Sequence, residues 1–136
     1  RETIIHRAQE LGISEQIIMA GFQSDPIPFY KTANLFVLSS NYEGLPNTLI
    51  EAQAACVPII SSNCPTGPKE ILMNGRLGEL FRPGDHKDLC KKIYNYYKNR
   101  KLLKKKSILA KKFLYRFDYK KNLNEYVLII SKYIKY

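Results

Sequence analysis

Two carboxylates, Glu43 and Glu51, stand eight residues apart in the stretch "SSNYEGLPNTLIEAQAACVPIISSN", residues 39–63. A carboxylate accepts two hydrogen bonds at once, which suits a pair of vicinal hydroxyls. Between the two acids lies "GLPNT", a turn that leads into a helix-forming run. The first N–H groups of such a helix have no intrahelical partner, and together with the helix dipole they favour a phosphate. Gly44 permits close backbone approach. Pro46 sits at the loop-to-helix entry, and Asn47 or Thr48 could cap the helix while offering polar contacts. Glu43 therefore precedes a phosphate-sized site, and Glu51 lies roughly one turn inside the helix. Hydroxyls, phosphates, hydroxyls, in that order, outline a nucleoside diphosphate sugar.

The elements that must position these residues follow from the apolar pattern. Ile4, Ile5, Ala8 and Leu11 recur at helical spacing, and Gly12 ends the run. Short uncharged runs at 16–22 ("QIIMAGF"), 35–40 ("LFVLSS") and 57–63 ("VPIISSN") read as buried strands, with a fourth strand in "RLGELFRPGD". Helices are expected from about Pro28 to Ala33, over 48–56 ("TLIEAQAAC"), and for one turn after "CPTGP". Strands that are continuously apolar and alternate with helices argue for an open parallel sheet covered on both faces. Ligands bind such sheets beyond the carboxyl ends of the strands. The loops "GFQSD", "SSNYEGLPN" and "SSNCPTGP" leave those ends and converge on one rim.

The chain has 136 residues and a net charge of +10. Residues 1–85 hold six basic and nine acidic residues, net −3, and residues 86–136 hold sixteen and three, net +13. The basic part reads as two or three amphipathic helices: Leu89, Ile93 and Tyr96/Tyr97 share one face, Leu109, Phe113 and Phe117 another. Tyr119, Leu123, Tyr126, Val127, Ile130, Tyr133 and Ile134 share a third. The tyrosines at 94–97 and 126–136 are expected to pack, with the lysines on the opposite faces. No apolar run approaches the roughly 20 residues of a membrane span. Cys56, Cys64 and Cys90 have no metal-ligand or redox spacing and read as small buried hydrophobes of a reducing compartment. Neither they nor the isolated His6 and His86 suggest a metal site.

The run "EGLPNTLIEAQAACVPIISSNCPTGPKEIL" resembles the carboxyl-terminal nucleotide-binding domain of family 4 retaining glycosyltransferases, whose signature of Glu, seven residues, Glu is matched by Glu43 and Glu51. "MAGFQSD" and "NGRLGELFRPGD" resemble further parts of that domain, and the likeness covers roughly residues 1–90 in order. The resemblance implies a partial Rossmann-like α/β domain over 1–90, with basic C-terminal helices over 86–136 packing on it. It implies that Glu43, the catalytic candidate, contacts donor-sugar hydroxyls, and that Glu51 holds the ribose. Backbone N–H groups around Gly44, Leu45, Asn47, Thr48 and Leu49 would meet the sugar or diphosphate. Gly21, Phe22 and Gln23 would lie on the base side, and Thr66, Gly67 and Pro68 are rim candidates. The donor would be a nucleoside diphosphate sugar, with no other cofactor and no tightly bound metal. The acceptor would be a glycan or a lipid-linked saccharide of a bacterial surface-glycan pathway.

The same resemblance implies that the acceptor domain, two strands and a helix precede Arg1 in family members, and that those parts supply an Arg and a Lys for the leaving diphosphate. The expectation is a fragment that is inactive alone and poorly stable, with a gap in the sheet between the strands at 16–20 and 35–38. The location implied is cytoplasmic, with the basic tail able to adhere to anionic lipid headgroups. Two alternatives are a nucleotide-sugar epimerase, which would not need Glu43 in this context, and a nucleic-acid-binding module built on the basic tail. The tail has only two Arg and no recognition motif, so no nucleic-acid partner is expected.

Overall fold

The computed structural model describes residues 2–134. The elements in chain order are α1 (Glu2–Glu10), a 3₁₀ turn (Ser14–Gln16), α2 (Ile27–Thr32), β1 (Phe36–Leu38) and α3 (Asn47–Ala54). Then come β2 (Ile59–Ser62), α4 (Pro68–Ile71), β3 (Glu79–Phe81), α5 (His86–Lys98) and α6 (Arg100–Lys111). A second 3₁₀ turn (Leu114–Phe117) leads into α7 (Tyr119–Tyr133). The three strands pair in the order β1-β2-β3, all parallel, with Val37 opposite Ile60 and Ser61 opposite Leu80.

The central strand sorts its side chains by the two-residue period of a strand. Ile59 joins a core with Leu49 and Ala52 of α3, Ile71 of α4, Leu72, Leu77 and Ala110 of α6. Its neighbour Ile60 joins Phe81 and Leu103 on the other face, with Leu89 and Tyr96 of α5 packed against them. Both faces of β2 are covered, which is why all four of its residues, Ile59 to Ser62, are buried and its two isoleucines stand side by side rather than alternating with exposed residues. The chain is thus a mixed α/β unit around a small, Rossmann-like parallel sheet.

The tight connection before β3 is held by the basic part of the chain. Met73, Asn74 and Gly75 all have positive φ, and Lys106 Nζ donates to the carbonyls of Gly75 and Gly78 at 2.9 and 3.1 Å and to Glu79 Oε1. Lys92 Nζ reaches the other oxygen of Glu79 at 3.5 Å. Two lysines expected on solvated faces are therefore engaged with the sheet end.

Several expectations are corrected. Residues 17–22 form no strand of the sheet. Ile17 has extended backbone, but Ile18 and Phe22 are 89% and 93% exposed. An extended run needs a ladder partner to become a strand, and no described strand flanks it. The tyrosine face packs only in part: the Tyr96 hydroxyl donates to Asn34 O at 2.6 Å, whereas Tyr94, Tyr97, Tyr126 and Tyr133 are exposed. Tyr136 lies outside the described residues. Helices α5 and α6 contact the sheet or α3, but α7 buries no residue, so its apolar face meets no core. Of the cysteines, Cys64 is buried, Cys56 half-buried and Cys90 exposed.

Candidate functional site

The loop from β1 to α3 and the loop from β2 to α4 leave the same edge of the sheet, because parallel neighbours end side by side. They are joined along their length. Near the strand ends, Ser62 Oγ donates to Ser40 O at 2.6 Å. Farther out, Thr66 Oγ1 donates to the carbonyl of Glu43. At the tip, Gly67 has φ +85°, and a Cβ there would lie 2.4 Å from Gly44 O and 2.5 Å from Pro46 Cδ. Only glycine allows this contact. The second loop is a buttress under the first, and the side chains that make it so are Ser62, Thr66 and Gly67.

Helix α3 begins at Asn47 with Pro46 as its cap residue, and no side chain caps it. The expectation that Asn47 or Thr48 caps the helix is corrected: both are already helical residues, and the residue in the capping position has no side-chain acceptor. The consequence favours a ligand. Among the described residues no hydrogen bond is formed by the backbone N–H groups of Asn47 and Thr48, and both residues are exposed. Leu49 N–H is spent on Pro46 O at 3.0 Å, and its side chain is fully buried, so Leu49 anchors the helix instead of offering a donor. Gly44 has open space on its Cα, and Leu45 is exposed beside it.

The two acids differ in surroundings. Glu43 is half-buried at the loop tip, with its carbonyl tied to Thr66. Glu51 is half-buried on α3 and accepts a hydrogen bond from Tyr30 Oη of α2 at 2.9 Å through Oε2. Burial, then the hydrogen bond to the Glu51 carboxylate and its charge, push the Tyr30 hydroxyl up to about 12. Sequence reasoning missed Tyr30. Its only signal was an aromatic with a polar tip in the helix expected from about Pro28 to Ala33. Gln53, two residues on and facing the opposite side of the same helix, is completely buried and donates to Ile71 O at 3.3 Å, which couples α3 to α4.

The remaining candidates are placed differently. Pro68 is fully buried at the start of α4 and offers no surface to a ligand, which corrects its place among the rim residues. Thr66 and Gly67 hold the loop as described. On the third loop Gly21 has φ +69°, Phe22 is exposed, and Gln23 Nε2 donates back to Ala20 O at 2.7 Å. No described hydrogen bond or ion pair joins that loop to the Glu43–Glu51 stretch. Among the described residues there is no group of three or more His, Cys, Asp and Glu able to hold a metal, and no helix long and apolar enough to cross a membrane.

Residues 1–113 match the family described as glycosyl transferases group 1. The chain is 31% identical over 127 residues to the putative glycosyltransferase EpsD of Bacillus subtilis, covering 93% of this chain and 33% of that protein. It is 40% identical over 81 residues to the lipopolysaccharide 1,6-galactosyltransferase of Salmonella typhimurium, covering 57% of this chain and 23% of that one. The crystal structure of Anabaena Alr3699/HepE in complex with UDP superposes with a TM-score of 0.88 at 19% identity, covering 96% of this chain and 36% of that chain. That likeness is one of fold. The chain spans no more than about a third of the length of these relatives.

Proposed function

The chain belongs to the group 1 glycosyl transferases, and from that premise we propose that it is the donor-binding part of a family 4 retaining glycosyltransferase. The observation that carries this reading is the pair of acids on either side of an uncapped helix start. Asn47 and Thr48 present free N–H donors to a diphosphate, Glu43 faces the donor sugar as the catalytic candidate, and Glu51 takes the ribose hydroxyls. Leu45 N–H adds a donor beside them. Gly21, Phe22 and Gln23 are assigned to the base side. The UDP in the HepE structure and the lipopolysaccharide galactosyltransferase among the relatives support a nucleotide-sugar donor and a surface-glycan or lipid-linked acceptor. Developing negative charge on a leaving diphosphate calls for fixed cations. The two bracketing loops, 39–47 and 62–67, contain no Lys or Arg, so donor binding is the step proposed for this chain. The test is calorimetry of the chain against UDP-, GDP-, ADP- and TDP-sugars. Saturable binding of one class supports the reading, and no binding of any refutes it.

A second reading concerns location. Lys121 and Lys132 lie on the side of α7 opposite Leu123, Tyr126, Val127 and Ile130, and that apolar side is exposed. An amphipathic helix of this kind suits peripheral adhesion at an anionic inner membrane face, where a lipid-linked acceptor would be found. Co-sedimentation with vesicles containing anionic lipid, lost in high salt, is the expected result; equal binding to neutral vesicles overturns it.

A further inference from the structure

We propose that Tyr30 is a positioning residue that gives the site its preference for ribose over deoxyribose, by fixing the carboxylate of Glu51. The inference rests on the reading of Glu51 as the ribose-binding group and adds to it a residue from another element. Glu51 is half-buried on the side of α3, where an unrestrained glutamate would exchange among several rotamers. It is restrained here. Tyr30 Oη donates to Oε2 at 2.9 Å, and Oε1 has no partner among the described residues.

The donor itself does not move. Tyr30 is 7% exposed and belongs to the main core, and its ring stands 5.6 Å from the Phe36 ring of β1 at an interplanar angle of 59°. A two-torsion side chain locked in a core is a rigid arm, unlike a surface Lys or Arg. Its hydroxyl stays protonated at neutral pH, so it donates rather than competes for the proton. A carboxylate has about four lone-pair sites. Tyr30 takes one, which leaves Oε1 and the remaining site of Oε2 for a vicinal diol. The 2′-hydroxyl is the group a deoxyribose lacks, so the benefit of a fixed carboxylate is read most sharply when that hydroxyl is removed.

The experiment compares the wild-type chain, Tyr30→Phe and Glu51→Gln for binding of matched ribo- and 2′-deoxyribonucleoside diphosphates. The pairs are UDP, GDP and ADP with their deoxy forms, and the pair used is the one the wild type binds tightest. Tyr30→Phe deletes one oxygen and keeps the ring packed on Phe36. Deoxynucleotide binding and the thermal melt report that the fold persists. The expected result is a ribo-over-deoxyribo affinity ratio that falls by about three- to tenfold in Tyr30→Phe, with deoxynucleotide affinity nearly unchanged. In Glu51→Gln the ratio falls at least as far.

A ratio that collapses in Glu51→Gln but is unaltered in Tyr30→Phe overturns the positioning role while leaving the ribose role of Glu51. Equal weakening of both ligands in Tyr30→Phe also overturns it, because a purely structural tyrosine has that effect. A ratio unaffected by Glu51→Gln, or no nucleotide binding by the wild type, removes the reading beneath the proposal and the proposal with it.

Discussion

Gly67 shows how much of the shape of the site rests on backbone packing. Its φ of +85° and the 2.4 Å that would separate a Cβ from Gly44 O place it where no other residue fits. Gly67→Ala is expected to push the Glu43 loop outward. It should cost about 1–3 kcal/mol of stability and weaken nucleotide-sugar binding more than a surface substitution would. Chemical denaturation and calorimetry on the same variant check both. Tyr30 supplies a pH signature at the same scale. Its folded value of about 12 lies above the unfolded value of 10.0. The proton is held more tightly in the folded chain, so this contribution is fully present below pH 10 and is lost as pH rises through 12. The wild type is expected to lose stability over that window more steeply than Tyr30→Phe, in denaturation curves taken pairwise at each pH. Parallel curves would remove the special state of Tyr30.

The elements explain which parts of this arrangement were legible in the sequence. Strands 35–40 and 57–63 announced themselves by their short uncharged apolar runs, and β1 and β2 fall within them; burial on both faces accounts for β2, whereas β1 is an edge strand with Val37 exposed. The β1–α3 loop was legible because Glu43, Gly44 and Pro46, with Glu51 one turn into the helix, set turn residues and acids between two uncharged apolar runs. The run 16–22 has the same apolar look, but strand formation is a property of pairs and the sequence shows only one member. The capping of α3 was misread for a related reason: Asn47 and Thr48 are good capping types, yet Pro46 takes the cap position and moves both one step into the helix. The Tyr30–Glu51 bond spans 21 residues and two helices, and no local pattern encodes it. Helix α7 carries an apolar periodicity, interrupted by Leu128 and Ile129, which reports the capacity to bury a face and not the presence of something to bury it against. Because α7 buries nothing, removal of residues 119–136 is expected to change stability by no more than about 1 kcal/mol, whereas Leu103→Ala on α6 should cost about 2–5 kcal/mol. Guanidinium unfolding of the two variants distinguishes them. A large loss on truncation would show that α7 is part of the folded core.

At the scale of the whole molecule, the chain joins a mildly acidic sheet unit to a strongly basic helical tail. The two are not independent, since Lys92 and Lys106 close on Glu79 at the sheet end and Leu103 and Ala110 complete the two cores. Among the described residues β1 and β3 each keep one edge without a partner strand, an arrangement that favours association with another strand or chain. The polar edge of the sheet gathers the groups that would hold a nucleotide-sugar. The cations that would neutralise a leaving diphosphate are absent from the two loops that bracket it. The account therefore expects the purified 136-residue chain to bind donor without turning it over. Measurable sugar transfer or donor hydrolysis by this chain would contradict that expectation.

The central claim, that Glu43 serves the sugar and Glu51 the ribose, is tested most directly by one comparison. Glu43→Gln and Glu51→Gln are titrated with the nucleotide-sugar that the wild type binds and with the corresponding nucleoside diphosphate. Glu43→Gln is expected to weaken the nucleotide-sugar by about tenfold or more and leave the diphosphate unchanged, while Glu51→Gln weakens both by similar factors. Loss of both ligands in Glu43→Gln, or of neither in Glu51→Gln, would contradict it.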